Sequence, residues 1–329
     1  MLNLTQYFTV AAIMKYLKTL PIIKTPVMDS IFTFRPQQPL PLIGADLLTP
    51  VLYELPMVRR GGKSIPAITE SGAIAFYEPF PFRPDKFVRG ADLNNLKVLG
   101  ESSREIWAQN QTDMLRRIVR KSTEAICAVS LSGTLTWPVK LESGAFENYS
   151  VVYGSTLSVT PDVLFSAQAA KVKDVFAALT AMHEALQEKG YGGTLEIWAA
   201  SDVYQTLFGL IESVLTSSKL NVGIQIGTDI NGINIGGYLV KRRAEKYRHP
   251  QTGTMTAIVP AKTMRMIATD AGHFMPYCAL DDLDANLQPL PFFVKPIKSE
   301  NPSGYQLVAE SKPFPVPNVN GICDAVVIA

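Results

Sequence analysis

The amino-acid sequence predicts an α+β fold, with a compact α/β middle set among a long helix and extended segments that cannot bury themselves. Three observations carry this. Proline and glycine are absent from Glu101 to Ser132, where Ile106, Trp107, Met114, Leu115, Ile118, Val119, Ile126 and Val129 recur at near-helical spacing. Between residues 161 and 285, helix and strand patterns alternate closely enough to share one core. Outside these regions, prolines and alternating apolar runs mark extended chain.

In order along the chain, Tyr7, Val10, Ala11, Met14 and Leu17 stand three and four apart, which predicts an amphipathic helix with one apolar face. That face has two possible partners, its own domain and a neighbouring copy. With Lys15 and Lys18 inside it, the segment is too short and too charged to cross a bilayer, and it lacks the layout of a secretory signal. Residues 21–56 contain Pro21, Pro26, Pro36, Pro39, Pro41, Pro50 and Pro56, which exclude long helices. The apolar residues between them (Ile31, Phe32, Phe34, Leu40, Leu42, Ile43) suit an arm lying on a surface rather than a solvated linker. Val51–Tyr53, Ile65–Ile68 and Ala73–Tyr77 flank Arg59-Arg60-Gly61-Gly62-Lys63, the pattern of a long two-stranded hairpin. Such a ribbon is marginal alone in water and needs something to lie against.

The helix expected within 92–130 would span roughly 45 Å if about 30 residues long. Arg104, Arg116, Arg117, Arg120 and Lys121 occupy its other faces, and its narrow apolar stripe makes it a strut across a sheet, anchored by Trp107. Thr134–Trp137 and Tyr149–Val159 read as strands. Thr160-Pro161-Asp162 reads as a helix start, continued by Val172, Val175, Phe176, Leu179, Met182 and Leu186 and ended by Gly190. Thr194–Ala199 is a buried-type strand, and Ser201 caps a further helix through Leu215. Val222–Ile226, Ile233–Val240, Met255–Pro260 and Met264–Ala268 are strand-like, and Lys241 to His249 reads as a charged hairpin tip. Pro291–Ile297 and Tyr305–Glu310 alternate around a turn at Asn301–Gly304, and Asp324–Ile328 is a terminal strand.

Composition bounds the function. Hydrophobic residues make up 47% of the 329, enough for a substantial core. The 31 basic and 29 acidic residues leave a net charge of +2, which argues against a dedicated nucleic-acid binder while allowing weak, non-specific contact. Cys127, Cys278 and Cys323 are scattered, so neither a disulfide framework nor a zinc site is indicated and a reducing compartment fits. His183-Glu184 lacks the second histidine of a zinc protease, and neither His249 nor His273 has a plausible triad partner. Gly61-Gly62-Lys63-Ser64 lacks the first glycine of a phosphate loop, with Met57 in its place. Asp281, Asp282 and Asp284 have no calcium-loop frame and suit a solvated loop. No catalytic, cofactor-binding or metal-ligating set is expected. The basic run at 241–249 could touch nucleic acid, a neighbouring subunit or only solvent.

The arm, the unsupported hairpin, the strut and the globular middle followed by returning strands resemble the lambda-like phage major capsid protein E family, with its Hong Kong 97-type fold, over roughly residues 20–329. The resemblance is carried by Arg59-Arg60-Gly61-Gly62-Lys63-Ser64, by Gly236 to Arg243 with Tyr247 and Met264-Arg265-Met266, and by Ala309 to Pro315 with Ala325–Ile328. It implies an N-terminal arm at 1–44 and an extended E-loop at 45–88. It further implies a peripheral (P) domain at 89–160 and 286–329, with a spine helix at about 92–130, and an axial (A) domain at 161–285. It implies the major capsid (head) protein of a tailed phage or prophage, without enzymatic activity or cofactors. Such a subunit joins copies of itself in hexamers and pentamers of an icosahedral shell around double-stranded DNA, assembled in the bacterial host cytoplasm and carried in the virion. The implied inter-subunit contacts are Arg59, Arg60 and Lys63 of the E-loop, Trp107, Arg116, Arg117 and Arg120 of the spine helix, and Lys241, Arg242 and Arg243 of the A domain. The implied partners are a separate scaffolding protein, a portal, a decoration protein and, non-specifically, packaged DNA, with no membrane. Two alternatives stand beside it. An encapsulin-like or gene-transfer-agent shell would differ in what the particle holds, and a small α/β enzyme centred on 161–285 would show a pocket of convergent titratable groups.

Overall fold

The computed structural model describes residues 4–44, 76–98, 100–216 and 224–329. Six α-helices occur among them: α1 (Val10–Thr19), α2 (Pro26–Ser30), α3 (Gly90–Lys97), α4 (Glu101–Ser130), α5 (Val172–Gln187) and α6 (Ser201–Thr216). The largest sheet runs in the order Leu157–Ser158, Ile322–Val326, Thr263–Ala268, Leu195–Ala199, Tyr238–Arg242, Gly232–Ile235, Ile226–Asp229. Thr263–Ala268 is antiparallel to both of its neighbours, whereas Leu195–Ala199 and Tyr238–Arg242 are parallel. All six residues of Thr263–Ala268 are buried, so both faces are covered and the sequence shows a continuous apolar run instead of alternation. Arg265 is tolerated inside that run because Asp324, directly opposite in register, accepts from its guanidinium at 2.6 and 2.8 Å.

The sequence expectation of one strand at Ile233–Val240 gives way to two. Gly236 and Gly237 form a two-residue turn with φ of +59° and +96°, and Ile235 pairs with Tyr238 across it. A side chain at 236 would also strike the ring of Phe176. The helix expected to start at Thr160-Pro161-Asp162 begins instead at Val172. The intervening chain is held by tertiary contacts: Phe165 is buried, and its N–H donates to the Val327 carbonyl at 2.7 Å. The start is then fixed by Asp174, whose carboxylate accepts the Lys171 N–H. The C-terminal end is as expected, with Gly190 at φ +81° and the Tyr191 N–H reaching back to the Leu186 carbonyl.

The long helix also differs from the expected span. Gly100, in extended conformation, separates α3 from α4, and α4 alone takes the 30 residues Glu101–Ser130. It crosses three cores. Its C-terminal end, with Cys127 and Ala128, joins the central core made by the large sheet, α5 and α6. Its middle, with Leu115 and Val119, joins a second core with Leu4, Tyr7, Phe8, Ile13, Tyr16, Phe293 and Leu307. There Phe293–Ser299 and Gly304–Glu310 form a hairpin extended by Asp85–Arg89. Ile126 joins a third core with the hairpin Thr134–Lys140 and Phe146–Val152, Phe314 and Val316.

The N-terminal helix keeps part of the face the spacing suggested, with Val10 and Leu17 packed against the second core, but is rotated from it. Tyr7 is buried as expected, but Ile13 and Tyr16 are the buried residues of α1, while Ala11 and Met14 face solvent. Thr9 caps α1 by accepting from the Ala12 N–H, which sets its rotation, and the aromatic bulk of Tyr16 outweighs the smaller Ala11 on the apolar side. Among its two possible partners, α1 packs on its own chain.

Candidate functional site

Two of the arginines expected on the spine helix, Arg116 and Arg120, reach the chain's own segment from Pro21 to Arg35, as does Glu124. The Glu124 carboxylate accepts the Val27 N–H at 2.7 Å and the Met28 N–H at 2.9 Å, satisfying orphan donors in the first turn of α2. Burial raises the Glu124 carboxyl above its ordinary range, and these two N–H groups offset only part of that. Arg120 donates to Thr25 Oγ1 at 2.7 Å and to Asp29 Oδ1 at 2.9 Å, and Arg116 donates to the Pro21 carbonyl. Arg35 folds back onto the carbonyls of Phe32 and Met28 and onto Asp29, closing the C-terminal end of α2. Burial acts to raise Asp29, but the Thr25 N–H and hydroxyl together with Arg35 and Arg120 outweigh it and hold the carboxyl below its usual range. Arg117, half exposed, pairs with Asp113 at 2.6 Å, as Arg116 does at 2.9 Å. Trp107 is half-buried and packs against the second core.

Lys241, Arg242 and Arg243 do not sit at a hairpin tip. Lys241 and Arg242 belong to the central sheet, because Val240 pairs with Ile197 and draws the strand inward. The charged hairpin is formed further on, by Lys246–Arg248 with Met255–Ala257. Lys241 Nζ lies 2.5 Å from Glu196 Oε1, and Arg243 lies 3.8 Å from Glu196 Oε2, with its guanidinium 4.8 Å from the centre of the Trp198 ring. Arg242 Nε donates to Ser201 Oγ at 3.4 Å. Glu196 thus gathers Lys241 and Arg243, and Asp29 takes Arg120; neither had a local sequence signal, since each lies many residues from these partners. Arg59, Arg60 and Lys63 lie outside the described residues.

Among the described residues, His183 and His273 are held by structural contacts. His183 is bracketed by Tyr238 Oη at 3.0 Å and the Gly192 carbonyl at 3.1 Å. His273 is buried, its Nε2 3.0 Å from the Ala268 carbonyl and its Nδ1 accepting the Asn318 N–H, and burial lowers its pKa to about 4. Burial pushes the Cys278 and Cys323 thiols up to about 12, so they stay neutral. The expected solvated loop at 281–284 is partly wrong: Asp282 is buried and 2.6 Å from Lys295, and Asp281 pairs with the fully buried Lys312 at 2.9 Å. A buried lysine needs such a partner, and only the fold supplies it. Among the described residues no group of three His, Cys, Asp or Glu side chains could hold a metal ion, and no helix is long and apolar enough to cross a membrane.

What stands out on the surface is apolar. Ile22 is 91% exposed and Phe34 65%, both on the N-terminal segment, and Ile106 and Ile118 are exposed along α4. Large side chains left bare in this way mark contact surfaces more often than chemistry.

A family model described as phage major capsid protein E matches residues 9–327. No curated protein matches the chain. Among solved structures, a protein from E. coli CFT073 described as a prophage capsid protein is 14% identical, with a TM-score of 0.63 over 98% of this chain and 99% of its own. A phage-related protein from Bordetella bronchiseptica RB50 is 11% identical, with a TM-score of 0.52 over 97% of each chain. At these identities the structural likeness speaks for the fold.

Proposed function

The chain belongs to the phage major capsid protein E family, and from that premise we propose that it builds a closed icosahedral head from hexamers and pentamers around double-stranded DNA. It is a structural protein of a phage or prophage capsid and not an enzyme, and its α+β architecture is of the Hong Kong 97 type. The observation that carries the reading is the extent of the family match, residues 9–327 of 329.

The mechanism follows from the physics of repeated contacts. A capsid subunit is stabilised by many modest interfaces closed by symmetry, so no single contact needs to be strong. The exposed apolar residues of the N-terminal segment and of α4 supply area for this, and the E-loop at 45–88, with Arg59, Arg60 and Lys63, adds polar contacts to a neighbour. The A domain at 161–285 packs around the capsomer axes, and the P domain at 89–160 and 286–329 spans between them. Lys241, Arg243, Arg116 and Arg120 contribute indirectly, by fixing elements inside the subunit. DNA contact is non-specific and limited by the net charge of +2. A scaffolding protein, a portal and a decoration protein complete the particle, which assembles in the host cytoplasm.

Electron microscopy of the purified protein tests this. Closed particles of uniform size are expected, with nuclease-protected double-stranded DNA in particles taken from lysed host cells. A monomer under all conditions would refute the assembly reading, and particles filled with a protein cargo would refute the DNA reading. Deleting residues 55–75 is expected to leave a folded subunit that forms no closed shells, and particles of normal size from that variant would remove the E-loop from the account.

A further inference from the structure

Two cavities, of about 530 and 590 Å³, lie on either side of Trp137 and share Ser122, Trp137 and Pro250 in their walls, so they form one trough. The trough runs between α4, the hairpin Thr134–Val152 and the hairpin Lys246–Ala257. Ile118 and Met255, in its walls, are 48% and 60% exposed. Its rim carries Lys24, Lys121, Lys246 and Arg248, all exposed and none in an ion pair among the described residues. The two carboxylates nearby are committed elsewhere, Glu124 to the first turn of α2 and Glu245 to Arg243 at 3.7 Å. In the wall beyond Trp137, the Tyr149 hydroxyl is buried and has no hydrogen-bond partner. An orphaned hydroxyl of this kind is costly unless an acceptor arrives.

The trough therefore asks for an occupant that is apolar, extended and acidic. The chain carries such a segment at the far end of the same hairpin. The tip Leu141-Glu142-Ser143-Gly144-Ala145-Phe146-Glu147 is exposed throughout, with Leu141 and Phe146 at 41% and 40%. Neither Glu142 nor Glu147 has an ion-pair partner among the described residues. Phe146, at the base of the tip, lines the cavity beyond Trp137, but no tip residue lines the cavity that holds Ile118 and Met255, and the tip lies roughly 13 Å from Trp137 along an extended strand, so this half of the trough is a surface apart from the tip.

We propose that the tip at 141–147 of one copy docks in the trough of a second copy, its glutamates facing Lys24, Lys121, Lys246 and Arg248 and its Leu141 and Phe146 lying against Ile118 and Met255. Because tip and trough are different surfaces, the contact is heterologous, the kind that closes rings or extends lattices and does not stop at a dimer. A nucleic acid is the less fitting occupant. The Trp137 ring that a base would stack on already packs against Tyr247 and His249, at 6.0 and 6.1 Å between centres.

The inference rests on the shell-subunit reading, and the full chain tests the two separately, since wild-type particles judge that reading alone. With particles forming, Lys121→Glu/Arg248→Glu and Glu142→Lys/Glu147→Lys are each expected to cut particle yield by roughly tenfold or more, through like charges brought together. Circular dichroism and melting temperature should stay as in the wild type. The four-fold variant carrying both reversals, and a 1:1 mixture of the two reversed proteins, should recover yield to within about twofold of wild type, because each reversed trough then meets a reversed tip. Three outcomes overturn the proposal: no loss in either reversed protein, loss without recovery in both the combined variant and the mixture, or normal particles after residues 141–145 are replaced by a two-residue Asn-Gly turn, which keeps Lys140 opposite Phe146. Loss of DNA retention with particle yield unchanged would likewise assign the trough to nucleic acid and end it.

Discussion

The central sheet and the docked N-terminal segment share one hydrophobic core but differ in the polar contacts added to it. In the sheet, Trp198, Met264, Met266 and Ile267 are fully buried and every strand is paired in register, so stability comes from non-directional burial. The segment from Pro21 to Arg35 buries Val27, Met28, Ile31 and Phe32 in that same core, and is fastened to α4 besides by directed contacts from Arg116, Arg120 and Glu124. Beside those contacts lies a cavity of about 290 Å³ between Leu20, Ile22, Val119 and Phe292. Burial of the first kind is hard to undo piecemeal. Directed contacts can be removed one at a time by substitution.

The strongest test of this contrast is Trp198→Ala. It should cost about 3–5 kcal/mol, since a fully buried indole leaves a cavity the packed sheet cannot refill, and chemical denaturation would read the loss. A drop below about 1 kcal/mol would mean that the sheet is not the dominant core.

Next in size is acid. His273 ties the end of Thr263–Ala268 to Asn318, and its folded pKa of about 4 lies below its ordinary 6.5. Its neutral form is the stable one, so this contribution is complete above pH 6.5 and is lost as pH falls from 6.5 toward 4, about 3 kcal/mol in all. Asp29 is held below 3.8, so the stability it contributes is present above that value and goes only as pH falls further, through its folded pKa. Glu124 is raised, and its contribution has the opposite sign: it is present below 4.5 and lost as pH rises. The sheet should thus weaken before the Asp29 contacts do. Denaturation curves from pH 7 to 4 should flatten in His273→Gln, and an unchanged slope would sink this assignment.

Glu124→Ala should cost about 1–3 kcal/mol, because two N–H groups of α2 lose their acceptor in a half-dry site. Hydrogen exchange should rise at Val27 and Met28 and stay unchanged in Thr263–Ala268. Equal rises in both places would erase the distinction between the regions. The smallest effect is expected from Ile22→Ser, within about 0.5 kcal/mol of wild type, because Ile22 is 91% exposed. Its value lies in assembly, where an unchanged particle yield would show that this apolar side chain contacts nothing.

Much of this was legible along the chain. The 30-residue helix followed from a stretch without proline or glycine, the Gly190 stop from its left-handed backbone, and the 293–310 hairpin from alternation about a turn. The places that read poorly share a cause. The rotation of α1, the late start of α5 and the position of Lys241 depended on partners far away in sequence: Phe293 and Leu307, Val327, and Ile197 with Glu196. The trough at Trp137 was likewise invisible, since its walls come from α4 and two separate hairpins.

By itself the sequence determined the periodicities, the stops and the lack of a catalytic or metal-binding pattern, because these depend on neighbours three or four residues apart and on composition. Only the tertiary structure decided which cations are neutralised at home, by Asp29 and Glu196, and which remain free on the rim of the trough. Charge pairing is a matter of distance in space, and the distances between Lys24, Lys121 and Arg248 are set by how three cores pack around α4.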